Sequence, residues 1–157
     1  MKNMKATSIL SIFAAAAALI LCATSCNKEE NPAKPTVTLT EVGHDNSKTA
    51  MRGDDMHLEA DILAEGLIKR IDVEIHQEDG GFEIEKSYTE GKYVGVKNVE
   101  FHEHIDIPAD APLGEYHLHF TVTDQKGQTT VAETHVEVVE FDADHDHDHE
   151  HEHEHED

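Results

Sequence analysis

Gly114-Glu115-Tyr116-His117-Leu118-His119-Phe120-Thr121-Val122-Thr123-Asp124 is the stretch that decides the fold. Tyr116, Leu118, Phe120 and Val122 fall on every second position with polar residues between them, the period of a strand with one buried face and one wet face. A helix over the same residues would scatter those apolar side chains around its circumference. Downstream, Asp124-Gln125-Lys126-Gly127 reads as a hairpin turn, and Gln128 to Val139 as the returning strand. Burying Val136 and Val138 with Leu118 and Phe120 requires paired residue numbers that sum to an even value. A sum near 252 sets His117 opposite His135 and His119 opposite Glu133.

The same period extends upstream. Thr36 to Val42 alternates as a first strand; Met56, Leu58, Ala60 and Ile62 alternate with His57, Glu59 and Asp61; Ile71, Val73 and Ile75 alternate with Asp72, Glu74 and His76. Asp79-Gly80-Gly81 is a turn into an edge strand from Phe82 to Thr89. Val99, Phe101, Ile105 and Ile107 face inward on the next strand, with Glu103 the one polar residue among them and Pro108 ending it. Pro112-Leu113-Gly114 turns the chain into the stretch quoted first, where Gly114-Glu115-Tyr116 ahead of a core leucine has the pattern of a tyrosine corner. About seven strands and no helix predict an all-β fold, an Ig-like or cadherin-like antiparallel β-sandwich over residues 36–140, without the disulfide and buried tryptophan of antibody domains.

The flanks have other compositions. Residues 1–25 read as a lipoprotein signal peptide: Lys2 and Lys5, an apolar run from Ile9 to Leu21 too short to span a bilayer with ease, then Ala23, Thr24 and Ser25 before Cys26. Cys22 follows bulky Leu21 and leaves with the signal, so Cys26 is the expected lipidation site and the mature chain can form no internal disulfide. Residues 26–35 are polar, carry two prolines and read as a flexible tether. Residues 141–157 run, after Phe141, as acid and histidine with no apolar residue except Ala143, and are expected to be disordered.

A formal charge of −22 excludes nucleic acid, and an anionic membrane surface too, leaving the lipid anchor as the membrane contact. Cations are the natural partners, and fourteen histidines supply the ligands. Residues at i and i+2 of a strand share a face, so His102 with His104 and His117 with His119 can each converge on one ion. In the expected topology His76, His117 and His135 lie abreast on three adjacent strands, flanked by Glu74, His119 and Glu133. On the other sheet, His57, Glu59 and Asp61 face Glu100, His102, His104 and Asp106. Imidazole and carboxylate donors favour zinc, with copper or nickel as alternatives. In the tail, His145, His147, His149, His151, His153 and His155 stand among nine carboxylates and need no fold to collect such ions. Binding should weaken below about pH 6, where protons compete for the same nitrogens.

The domain resembles small Bacteroides-type surface lipoproteins with an Ig-like domain of unknown function. The residues that carry the likeness are His57-Leu58-Glu59-Ala60, Ile71-Asp72-Val73-Glu74-Ile75-His76, His102-Glu103-His104-Ile105-Asp106-Ile107-Pro108, Gly114-Glu115-Tyr116-His117 and Val122-Thr123-Asp124. Members often carry a histidine-rich insert after the strand ending at His76; here that loop is short and the terminal tail holds the histidines. Lys28-Glu29-Glu30 behind Cys26 resembles the export signal by which such lipoproteins reach the outer face of the outer membrane. The resemblance implies a fold and an address, and no activity.

The expectation is therefore a non-enzymatic, lipid-anchored metal binder at the cell surface that captures, buffers or delivers zinc to a transporter or outer-membrane receptor. The alternative is a lipid-tethered interaction module for a glycan or partner protein. Against it, aromatic residues are 5% of the chain and tryptophan is absent, leaving few platforms for sugar stacking. A metalloenzyme ranks lower, because no nucleophile with a paired base and no long lid loop can be read from the sequence.

Overall fold

The computed structural model describes residues 32–78 and 81–140. The signal peptide, Cys26, the six tail histidines and the Asp79-Gly80 part of the turn lie outside the described residues. No helix among the described residues is long and apolar enough to cross a membrane.

Eight strands follow in order: β1 Thr36–Val42, β2 Thr49–Met51, β3 Asp55–Leu63, β4 Ile68–Gln77, β5 Glu83–Tyr88, β6 Asn98–Asp106, β7 Gly114–Asp124 and β8 Thr129–Val139. One sheet has the order β1-β3-β6 and the other β2-β8-β7-β4-β5. Seven strands match the sequence expectation. The eighth, β2, pairs parallel with β8, so the sandwich is not wholly antiparallel. Three residues are too few to show a period, which is why alternation could not reveal it. The arrangement is an Ig-like sandwich: two sheets packed face to face, with β3 and β6 across from β4, β7 and β8.

The alternation read from the sequence is the inside and outside of this sandwich. Leu58, Ala60, Phe101 and Ile105 of one sheet meet Ile71, Val73, Ile75, Leu118, Phe120 and Val122 of the other, all buried. Tyr116 is fully buried and its hydroxyl donates to the Pro112 carbonyl at 2.8 Å, the bond of a tyrosine corner. Glu103 is half-buried and accepts from the Tyr93 hydroxyl at 2.6 Å, with Lys92 Nζ at 3.1 Å. Burial drives this carboxyl upward, but the bonds from Tyr93 and Lys92 outweigh it and hold it below the usual carboxylate range. At the other end of the domain, Gln128 Nε2 donates to the Pro32 carbonyl at 2.8 Å and Thr130 Oγ1 to the Pro35 carbonyl at 2.6 Å, so the last residues of the expected tether lie along β8.

Candidate metal centre

Antiparallel pairing of β3 with β6 sets His57 opposite His104 and Glu59 opposite His102. On the other side of β3, Glu41 of β1 is the partner of Glu59. Five acid and histidine side chains therefore share one patch on the outer face of the smaller sheet. Glu41 arrives there by an irregularity. Strict alternation from Val37 and Leu39 would turn it inward, but the register shifts between Leu39 and Glu41, which sends Glu41 to the outer face and drops Val42 into the core against Leu58.

One ring nitrogen from each of His57, His102 and His104 lies within 4.8 Å of the other two, and the ligand atoms of Glu41, His57 and Glu59 form a second such group. His57 belongs to both, so the two groups describe one centre. The His57 and His104 rings are stacked at 5.1 Å, and His57 and His102 sit at 4.6 Å between centroids.

The hydrogen bonds assign a role to each nitrogen. His57 Nδ1 lies 3.2 Å from Glu41 Oε1, His102 Nδ1 2.9 Å from Glu59 Oε1 and His104 Nδ1 2.6 Å from Asp55 Oδ1. A carboxylate only accepts, so the Nδ1 atoms of His57 and His104 donate and their Nε2 atoms keep the lone pair, while Glu59 stands beside His102 Nδ1 as a counter-charge. A carboxylate holding the far nitrogen is the usual support of a metal-bound imidazole, fixing both ring orientation and tautomer. His57 Nε2 is buried and makes no hydrogen bond; Glu59 Oε1 lies 3.3 Å away but out of line. A buried lone pair without a donor is costly, and a cation would satisfy it. Drawing the nitrogens in to the edge of a zinc tetrahedron, about 3.4 Å for Zn–N bonds of about 2.0 to 2.1 Å, asks only for side-chain adjustment on exposed His102 and His104.

The other sheet carries out the predicted pairing without making a triad. His76, His117 and His135 stand abreast, paired His76 with His117 and His117 with His135, and His119 pairs with both Glu74 and Glu133. Among the described residues, however, these three histidines do not form a group whose ligand atoms all lie within 4.8 Å of one another. Strands about 4.8 Å apart put the outer two of three about 10 Å from each other, and the rings turn to nearer partners. His135 Nδ1 lies 2.7 Å from Glu115 Oε1, His117 Nε2 3.3 Å from Glu78 Oε1 and His119 Nδ1 3.2 Å from Glu133 Oε1. His117 and His119 face His76 across one strand gap just as His102 and His104 face His57, and the difference lies in where the rings turn. Glu41 and Asp55 escaped the sequence reading. Asp55, at the start of β3, shares the face of His57 by the same period of two and could have been named; Glu41 could not.

A family model described as Domain of unknown function (DUF4625) matches residues 22–139. No curated protein matches the chain. Among solved structures, catalytically inactive OgpA from Akkermansia muciniphila in complex with an O-glycopeptide is similar at a TM-score of 0.49 and 14% identity, over 71% of this chain and 31% of that one. A Niemann-Pick type C2 protein from Japanese carpenter ant gives 0.44 and 10%, over 69% and 96%. The GspB Siglec domain gives 0.43 and 14%, over 71% and 60%. The chain thus spans under a third of OgpA, and these likenesses concern strand arrangement alone.

Proposed function

The chain belongs to the DUF4625 family of domains of unknown function, and from that premise we propose that it is a metal-binding envelope lipoprotein whose domain holds a divalent transition metal, zinc first, at His57, His102 and His104. The supporting observation is the set of three imidazoles with a carboxylate beside each Nδ1 and with one ring nitrogen from each within 4.8 Å of the other two. Glu59 and Glu41 stand beside His57 as further donors and offset the charge of a divalent ion. A site with two of its three histidines exposed suits capture and release better than a permanently held structural ion. Zinc fits this nitrogen and oxygen donor set, and copper competes by its higher intrinsic affinity.

In this reading Cys26 carries the lipid, the anchor places the domain on the outer membrane facing outward, and the histidine tail gathers ions for transfer to a transporter or receptor. Cys26→Ala should abolish fatty-acid labelling and release the chain from membranes. The folded site is tested by equilibrium dialysis against zinc of the chain carrying His145→Asn and the equivalent changes at His147, His149, His151, His153 and His155. Binding at micromolar free zinc, with one equivalent lost in His57→Ala, is expected. No binding below millimolar zinc refutes the site.

A further inference from the structure

His76 and His119 lie on the outer face of the larger sheet, across the sandwich from His57. They are diagonal neighbours, since His76 pairs with His117 and His119 with Glu74, and their Nε2 atoms are 3.1 Å apart. The far nitrogen of each ring is engaged. His76 Nδ1 lies 3.0 Å from the Gln77 carbonyl, and His119 Nδ1 lies 3.2 Å from Glu133 Oε1. The Gln77 carbonyl only accepts, so His76 Nδ1 donates and His76 Nε2 presents a lone pair, which accepts a hydrogen bond from His119 Nε2. A divalent cation can take the place of the proton held between the two Nε2 atoms, as metal binding at imidazole displaces protons.

We propose that His76 and His119 are the protein ligands of a second divalent-metal site, independent of the centre at His57. Their separation is close to the nitrogen–nitrogen edge of a zinc tetrahedron, about 3.4 Å for bonds of about 2.0 to 2.1 Å. Each ring has the outer support of a metal-bound histidine, a backbone carbonyl for one and a carboxylate for the other. Glu74 Oε1, 3.7 Å from His76 Nε2, is the nearest oxygen donor on the strand. His117 stacks on His76 with centroids 5.6 Å apart, and its Nε2, buried and without a hydrogen bond, has the Glu78 carboxylate 3.3 Å away, so this ring borders the site without entering it. Two imidazoles leave the remaining positions for water or for donors from another molecule, the composition of a site that exchanges its ion. The two sites occupy outer faces of sheets packed about 10 Å apart and share no residue.

The test is a zinc titration of the full chain followed by long-range proton–nitrogen spectra of the histidine rings, which resolve each Nε2. The Nε2 signals of His76 and His119 should shift together, and His76→Ala should weaken the response of His119 at least tenfold while His57, His102 and His104 still respond. The reciprocal His119→Gln should do the same to His76, with unchanged backbone spectra showing that the sheet is intact. The inference is overturned if His119 responds equally in His76→Ala, or if neither ring responds while His57 does; the facing nitrogens then share a proton only. A response at His76 and His119 with none at His57 would support this site and sink the one proposed above.

Discussion

Asp124 is fully buried, and replacing it should cost more than any other polar change in the domain. Its Oδ1 accepts from the backbone N–H groups of Lys126 and Gln128 at 2.9 and 2.8 Å, and its Oδ2 from Gln128 Nε2 at 3.0 Å. One carboxylate thus ties the β7–β8 turn and, through Gln128, the Pro32 carbonyl. A hydrogen bond to a charged group contributes about 1.5 to 3 kcal/mol, and part of that returns when water reaches the freed amides on the turn. Asp124→Ala should therefore destabilise by about 3 kcal/mol, a large share of the ~5 to 15 kcal/mol that holds a domain together. Asp124→Asn keeps one acceptor oxygen and should lose about half as much. With a urea dependence of about 1.5 kcal/mol per molar, the alanine variant should unfold about 2 M earlier by far-ultraviolet circular dichroism. Equal midpoints for Asp124→Ala and the parent would refute the assignment of this carboxylate as the fastener of the hairpin.

Gly66 lies against the same carboxylate, and a Cβ there would overlap Asp124; Gly66→Ala should lower the urea midpoint as well, and less than additively when combined with Asp124→Ala. Tyr93→Phe removes the donor to Glu103 and the hydroxyl that meets the His102 N–H and carbonyl on the free edge of β6. A carboxylate with a lowered folded pKa adds stability above its unfolded value of about 4.3 and loses it as pH falls through the folded one. The gap in urea midpoint between Tyr93→Phe and the parent should therefore be wide at pH 7 and narrow at pH 3. Burial raises all three tyrosines, Tyr88 to about 12, so ultraviolet titration should show no tyrosine ionising at its ordinary value while the domain is folded. Because an acid raised by folding loses its stabilising effect above the unfolded value of about 10, phenolate should appear together with alkaline unfolding. His57→Ala should weaken zinc binding at least tenfold more than His135→Ala, because His135 is exposed and already turned to Glu115; equal losses in dialysis would remove His57 from the centre.

Alternation was enough to find the strands because a pleated strand sends neighbours to opposite faces, and each face here has one environment. Leu118, Phe120, Val136 and Val138 had to share a core, and that parity together with the turn at Asp124 to Gly127 set His117 opposite His135, as the structure has it. The same argument placed His57, His102 and His104 on one outer face. Three features left no periodic signal: β2, with three residues; the register shift that turns Glu41 outward; and Tyr93, which reaches the edge of β6 from an irregular segment.

By itself, then, the sequence determined two sheets, their inner and outer faces, and a surplus of imidazole on the outside, because those depend on local chain geometry and on hiding apolar side chains. Only the tertiary structure decided which imidazoles meet. His76, His117 and His135 are in register, yet His117 and His135 turn to Glu78 and Glu115 and His76 to His119, whereas His57, His102 and His104 are gathered by Glu41, Glu59 and Asp55. Ring orientation is set by hydrogen-bond partners from other strands, and distances between strands are not written in the order of residues along any one of them.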